Sequence, residues 1–287
     1  MQSGIKIRLF KAGFCTHPGF IVQPGSGIKA KKFPAGIALI AHPTQGYILF
    51  DTGYHPNFHA STRTFPERFY AMVTPCSLHH GDTILEQLNT LNIHQADIKH
   101  LLLSHFHADH IAGMVDFSDA TIHCHQAGLT YMEKSNRINR VRKGYLNKLV
   151  PDSAANQFSF FTGFTIDIGD ILNLSETIGL SAIDWFNDES IYVVNLPGHA
   201  AGHIGLLVRI EKGFIFLLAD ACWLKESLSH HVNQHWIANI LSDDHKAYKE
   251  TLKKLRRCFV LSEESVIYVP SHCEQTIDSL IQKEWIS

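Results

Sequence analysis

The sequence predicts a mixed α/β fold carried by a single domain over residues 1–287. Three observations lead there. Short apolar runs bounded by turn residues recur along the chain and alternate with segments of helical period. No fixed-period repeat, low-complexity tract or linker divides the chain. Hydrophobic side chains make up 45% and charged ones 18%, the balance of a globular protein able to bury a sizeable core.

The elements follow in order. IKIRLF alternates and reads as a strand. FPAGIALIAHP and YILFDTG are apolar runs, and the turn over residues 42–46 joins them as a hairpin. Residues 55–80 place Phe58, Phe65, Phe69 and Tyr70 among Pro56, Pro66 and Pro75. That stretch reads as an irregular surface excursion, either a packed loop or a wall for an acyl chain. DTILEQLNTLNI reads as a helix, with Asp82 as N-cap and Ile84, Leu88 and Leu91 at helical spacing. HLLLS is a buried strand, IAGMVDF a short helix or turn, and TIHCHQ another strand. Residues 126–150 form a helical insert with Lys134, Arg137, Arg140, Arg142, Lys143 and Lys148. A solvated basic face is the default for it, and a lid that attracts an anionic substrate is the alternative. Strands IYVVNLPG, IGLLVRI, FIFLLAD and VIYVP, with a helix near residues 243–257, complete the chain.

Charge and composition narrow the partners. The formal net charge of −2 gives no global basic field for nucleic acid. No uncharged apolar run reaches the roughly 18 residues of a membrane helix. MQSGIKIRLFKAG lacks the apolar core of a signal peptide, and the six cysteines form no CxxC, so a cytoplasmic, reduced setting is expected. The expected partner is a small-molecule substrate, with a homodimer compatible.

Twenty histidines are the unusual count. SHFHADH packs three of them and an aspartate into residues 104–110. In an extended segment His105 and His107 point the same way, so two imidazoles can share one metal. Asp109 and His110 lie past the strand end and can reach a second ion. Three more strand ends carry the same kind of group: His199 after Pro197 and Gly198, Asp220 after FIFLLA, and His272 after VIYVPS. A carboxylate leaving a buried strand is costly unless paired or metal-bound.

With FDTG at 50–53, SHFHADH at 104–110, PGHAAGH at 197–203, LLAD at 217–220 and PSH at 270–272, the chain resembles the metallo-β-lactamase superfamily over most of its length. The resemblance implies a four-layer αβ/βα sandwich with metals at one edge of two mixed sheets. It implies that His105, His107 and His199 hold one divalent ion, that Asp109, His110 and His272 hold the other, and that Asp220 bridges them. Asp51 would orient ligands without binding metal. Zinc is the first expectation, and iron, manganese or cobalt also suit such donors. Two such ions supply a bridging hydroxide as nucleophile, and Asp109 would help orient it.

Within the superfamily, Asp220 stands where secreted β-lactamases carry cysteine, and His107 where flavin-linked oxygen reductases carry glutamate. LLADACWLKES resembles N-acyl-homoserine lactonases, in which alanine follows the bridging aspartate, although Trp223 replaces their usual tyrosine. The expected activity is hydrolysis of a lactone or small ester. A mononuclear iron persulfide dioxygenase, a thioesterase and a non-catalytic sensor are the alternatives. Phe65 and Phe69 are candidate acyl contacts, Trp223 a substrate contact, and His203 a supporting residue behind the ligands. His123 and His125 repeat the HxH spacing without an aspartate and are expected to be structural.

Overall fold

The alternation of IKIRLF and the turn at residues 42–46 set up the first sheet. The computed structural model describes residues 4–22, 27–229 and 242–287. In it β1 (Lys6–Pro18), β2 (Ala30–His42) and β3 (Gly46–Phe50) run antiparallel, with Leu9 opposite Ala38 and Ile40 opposite Ile48. β4 (Cys76–Ser77) pairs with the far edge of β1. β5 (Ile98–Leu102), β6 (Thr121–Cys124) and β7 (Phe158–Phe160) add parallel to β3, giving the order β4-β1-β2-β3-β5-β6-β7. The second sheet holds β8 (Ile166–Asp167), β9 (Ser181–Asp184), β10 (Ile191–Asn195), β11 (Ile204–Ile210), β12 (Gly213–Ala219) and β13 (Val266–Pro270). Its order is β13-β12-β11-β10-β9-β8, antiparallel except for the parallel β12–β13 pair.

Side-chain alternation sorts the core into three layers. Ile7, Leu9, Ile40, Ile48 and Phe50 face Val193, Leu206, Val208, Ile215 and Leu217 between the sheets. Their neighbours Phe10, Leu39, Leu49 and Leu101 point outward and pack against Phe58, Tyr70, Ile84, Leu88 and Met132. On the second sheet Tyr192, Val194, Leu207 and Phe216 point outward against Tyr248, Leu252, Leu255 and Phe259 of the helix His245–Ser262. Two sheets between two helical layers are the αβ/βα sandwich that the sequence led us to expect. Among the described residues no helix is long and apolar enough to cross a membrane.

Three local expectations are corrected. The helix over Ile84–Thr90 is capped by Thr83, not Asp82, because a cap at Thr83 places Glu86 where the two residues satisfy each other's backbone N–H in a capping box. Asp82 instead accepts a 2.8 Å bond from the His79 amide. Residues 55–80 hold two short helices, Pro56–Ser61 and Glu67–Val73, with irregular chain around them, because Pro56 and Pro66 sit at helix starts, where proline is tolerated. The insert forms two short helices, Gln126–Lys134 and Arg137–Arg142. Its basic face is partly tied down, with the Arg137 guanidinium clamping both oxygens of Glu67 and Arg140 donating to the Met132 and Ser135 carbonyls.

Candidate metal centre

The predicted ligands come from separate strand ends and meet at one edge of the sandwich. β5 ends at Leu102, and residues 103–107 leave it extended before the helix Ala108–Ile111 begins. β10 leads to His199, β12 to Asp220 and β13 to His272. One donor atom from each of His105, His107, His199 and Asp220 lies within 4.8 Å of the others, and so does one from each of Asp109, His110 and His272. All seven side chains are buried.

Asp220 sits between the two groups. Its Oδ2 is 3.2 Å from His199 Nε2 and 3.1 Å from His272 Nε2, while Oδ1 is 3.3 Å from His110 Nε2. His199 Nε2 and His107 Nδ1 face each other at 3.1 Å. Asp109 Oδ2 lies 3.4 Å from His272 Nε2 and 3.7 Å from His110 Nε2. The backbone bends sharply to deliver these groups: Ala219, just before Asp220, has φ 46° and Asp51 has φ 63°, strained values for residues with a side chain.

A hydrogen-bond relay behind the ligands sets their tautomers. Asp51 accepts from the Ser104 amide and hydroxyl, both at 2.8 Å, and from His110 Nδ1 at 2.7 Å. The Ser104 hydroxyl in turn accepts from His105 Nδ1 at 2.9 Å. His272 Nδ1 donates to the Pro34 carbonyl at 2.8 Å. With Nδ1 engaged in this way, Nε2 is the ring nitrogen each imidazole can offer to a metal ion. His203 supports the site from below, its Nε2 accepting from the Asp220 amide at 3.1 Å.

The result is a cluster of acceptors with nothing to accept from. His105 Nε2, His110 Nε2 and Asp220 Oδ1 are buried without a hydrogen-bond partner. Each such atom left unpaired costs about 1–3 kcal/mol, a penalty that a cation bound among them would relieve. The donor set fits divalent metal ions on this ground. The electrostatics agree. Burial, then the neighbouring imidazoles, hold His105 and His107 well below the usual histidine range, so they are neutral. Burial would also lower His110 and His272, but the Asp109 and Asp220 carboxylates outweigh it and raise both, so these two imidazoles hold a proton that a bound cation would displace. Asp220 is held well below the carboxylate range by His272 and His110, against the effect of burial.

A cavity of about 40 Å³ opens over the cluster, room for roughly three waters. Cys15, His17, Phe33, Tyr54, Tyr70 and Trp223 wall it beside His107, Asp109, His199, Asp220 and His272. Trp223 is among the lining residues. Phe65 and Phe69 are not among the lining residues. They sit on the outer side of their segment, 75% and 58% exposed, while Tyr70 and Thr74 of the same segment face the cavity.

Sequence reasoning missed a second support. Tyr145, from the insert, lies edge-on to His107 at 5.0 Å, and its hydroxyl donates to Asp243 Oδ2 at 2.6 Å. The same oxygen accepts from the Ala201 amide at 2.7 Å, pinning the loop that carries His199. No motif marks these residues, since they come from the insert and from the approach to the long helix.

His123 and His125 lie away from the ligand cluster, among local partners. His125 caps the helix Gln126–Lys134 by accepting from the Ala127 amide. His123 packs between Phe161 and Trp185 and shares a 3.0 Å bond with His100. Burial, then His100, lowers His123 to about 4. In the unfolded chain it titrates near 6.5, so between those values the unfolded state binds more protons and acidification costs stability, on the order of 3 kcal/mol in full. His123→Gln is expected to flatten this acid limb in urea titrations between pH 4 and 6.5. An unchanged slope would remove His123 as its cause. Cys222 and Cys273 are buried free thiols, and burial pushes the Cys222 thiol up, away from reactivity. His230, His231, His235 and Trp236 lie outside the described residues.

Comparison with known proteins places this geometry. The metallo-beta-lactamase superfamily model matches residues 37–258. The metallo-hydrolase mfmC of Annulohypoxylon moriforme is 26% identical over 228 residues, 76% of this chain and 56% of its own length. The chain therefore spans little more than half of that relative. The N-acyl homoserine lactonase AttM of Azorhizobium caulinodans is 23% identical over 270 residues, 91% of this chain and 90% of its own. Among solved structures, B. thuringiensis AiiA with N-decanoyl-L-homoserine at its active site superposes with a TM-score of 0.74 at 18% identity, covering 100% of both chains. An N-acyl homoserine lactone hydrolase with N-hexanoyl-L-homoserine at its catalytic metal centre gives 0.73 at 19%, again over 100% of both. With matched motifs, sandwich and ligand cluster in agreement, the chain belongs to the metallo-beta-lactamase superfamily.

Proposed function

We propose that the protein is a hydrolase of lactones or other small esters that works with two divalent metal ions. The observation that carries this reading is the pair of adjoining donor groups on either side of the Asp220 carboxylate, buried and short of hydrogen-bond partners. The likeness to AttM along nearly the whole chain supports the ester class.

His105, His107 and His199 would hold one ion, Asp109, His110 and His272 the other, and Asp220 would face both. When bound, such a pair supplies an acidified water as nucleophile and a Lewis acid for the carbonyl oxygen. The chain's own residues do the rest. Asp51 and Ser104 hold His105 and His110 with Nε2 forward. Asp109 would orient the attacking water, accept its proton at the carboxylate that lies 3.4 Å from His272 Nε2, and return it to the alcohol oxygen as the acyl C–O bond breaks. Phe33, Tyr70 and Trp223 narrow the chamber and exclude bulk water.

The test is metal analysis together with proton release from N-hexanoyl-homoserine lactone and a panel of short esters. Two equivalents of metal and chelator-sensitive turnover are expected. Asp109→Asn should lower kcat by about 100-fold or more and loosen the ion that Asp109 would share with His110 and His272, while the His105, His107 and His199 group still binds metal. One equivalent of iron with oxygen uptake on a persulfide would replace this reading with the dioxygenase.

A further inference from the structure

The chamber is lined on one side by acceptors and on the other by two donors that have nothing to donate to. The Tyr54 hydroxyl and Trp223 Nε1 are both buried, and neither has a hydrogen-bond partner among the described residues. Elsewhere the fold satisfies its deeply buried phenols: Tyr145 donates to Asp243, and Tyr268 pairs with Ser262 at 2.7 Å. Both orphaned donors, the Tyr54 hydroxyl and Trp223 Nε1, belong to residues that line the cavity over the ligand cluster.

Tyr54 cannot turn away to find water. Its side chain is 1% exposed, its amide donates to the Ala12 carbonyl at 3.0 Å, and its ring lies edge-on to Phe58 at 5.3 Å. Gly53 before it has φ 68°, and a Cβ there would meet the Ala12 Cβ at 2.4 Å, so the backbone approach is fixed. The polar group beside the hydroxyl is the Cys15 thiol, a weak acceptor. Burial raises the phenol well above its ordinary range, so it keeps its proton. Trp223 adds an indole N–H, a donor only, with its ring 5.7 Å from His272.

Resting on the ester-hydrolase reading, we infer that Tyr54 is a substrate-binding residue whose hydroxyl donates a hydrogen bond to an oxygen of the bound ester, with Trp223 Nε1 as the second donor of the same chamber. Nothing is transferred in this step. The fixed donor meets an oxygen that gains negative charge as the carbonyl is attacked, which is where such a donor lowers the barrier most. It also makes the chamber selective for groups rich in acceptor oxygen, since an apolar occupant would leave both donors unpaired.

Tyr54→Phe keeps the ring packed on Phe58 and removes only the hydroxyl. Its kcat/KM on the best ester of the panel is expected to fall about 100-fold, with metal content and melting temperature unchanged. Trp223→Phe should lose about 10-fold. A second readout is calorimetric binding of hexanoate to the metal-loaded protein, expected to weaken about 10-fold in Tyr54→Phe. A fall in kcat/KM with unchanged hexanoate affinity also supports the inference and places the bond in the transition state. Both quantities within twofold of the parent would overturn it. If the parent hydrolyses no ester, the ester-hydrolase reading fails by itself and hexanoate alone decides Tyr54. Weakened binding keeps the donor role for a carboxylate-like ligand, and equal or absent binding removes it.

Discussion

Asp220→Ala is expected to abolish turnover, by about 1,000-fold or more, and to reduce bound metal from two equivalents to less than one. The size follows from its position. Asp220 offers oxygens to His199, His272 and His110 at 3.1–3.3 Å, so it faces both donor groups at once. On the two-metal reading, its loss would remove the charge that lets two cations sit side by side, and with them several kcal/mol of transition-state stabilisation. Asp220→Asn separates charge from shape: it keeps the volume and one oxygen, and should retain more metal than alanine but little activity. Metal analysis beside steady-state rates decides the matter. Two equivalents retained with activity within tenfold of the parent would sink the bridging role.

Gly198→Ala is expected to cost about 3 kcal/mol or more of stability and to loosen metal binding through His199. Gly198 has φ 127°, and a Cβ there would lie 2.1 Å from the Tyr248 amide nitrogen and 2.3 Å from its Cα. Those atoms belong to the first turn of the helix His245–Ser262, so they cannot swing aside as a side chain would. The helix start is also tied to this loop, with the Asp244 amide on the Gly198 carbonyl at 3.0 Å and the Asp243 amide on the His199 carbonyl at 3.1 Å. Moving the helix away disturbs the Asp243 clamp on Ala201 and Tyr145 together. Urea melts with and without added zinc measure both effects. A variant within 1 kcal/mol of the parent and equal in zinc affinity would show that the loop yields without moving His199.

Much of the site was legible because its ligands sit at the mouths of apolar strands. FIFLLAD and VIYVPSH each end a buried run on a group that a core does not tolerate alone. That pattern picks out Asp220 and His272 without knowledge of which strands are neighbours. Asp51, at the end of YILFD, came only from the resemblance to the superfamily. Tyr54, Tyr145 and Asp243 were not legible. Each is an ordinary residue in its own segment, and its role depends on what lies opposite: Cys15 of β1 for Tyr54, His107 for Tyr145, the His199 loop for Asp243. The cap at Thr83 was misplaced by one residue because both Asp82 and Thr83 are good caps locally, and only Glu86 distinguishes them.

Phe65 and Phe69 show the same limit from the other side. Their aromatic character suggested a ligand wall, yet which side of a short helix faces the core is set by the sheet it packs on. Here that sheet takes Tyr70 and leaves both phenylalanines on the surface. Fold class, strand ends and the kinds of donor they carry can be read along the chain, because hydrophobic period and ligand chemistry are local properties. It takes the packed molecule to show that Asp220 stands between two groups of ligands, that Ser104 links Asp51 to His105, and that two donors remain unpaired above them. Those are distances between residues far apart in sequence, fixed by how two sheets pack and not by any residue's own preference.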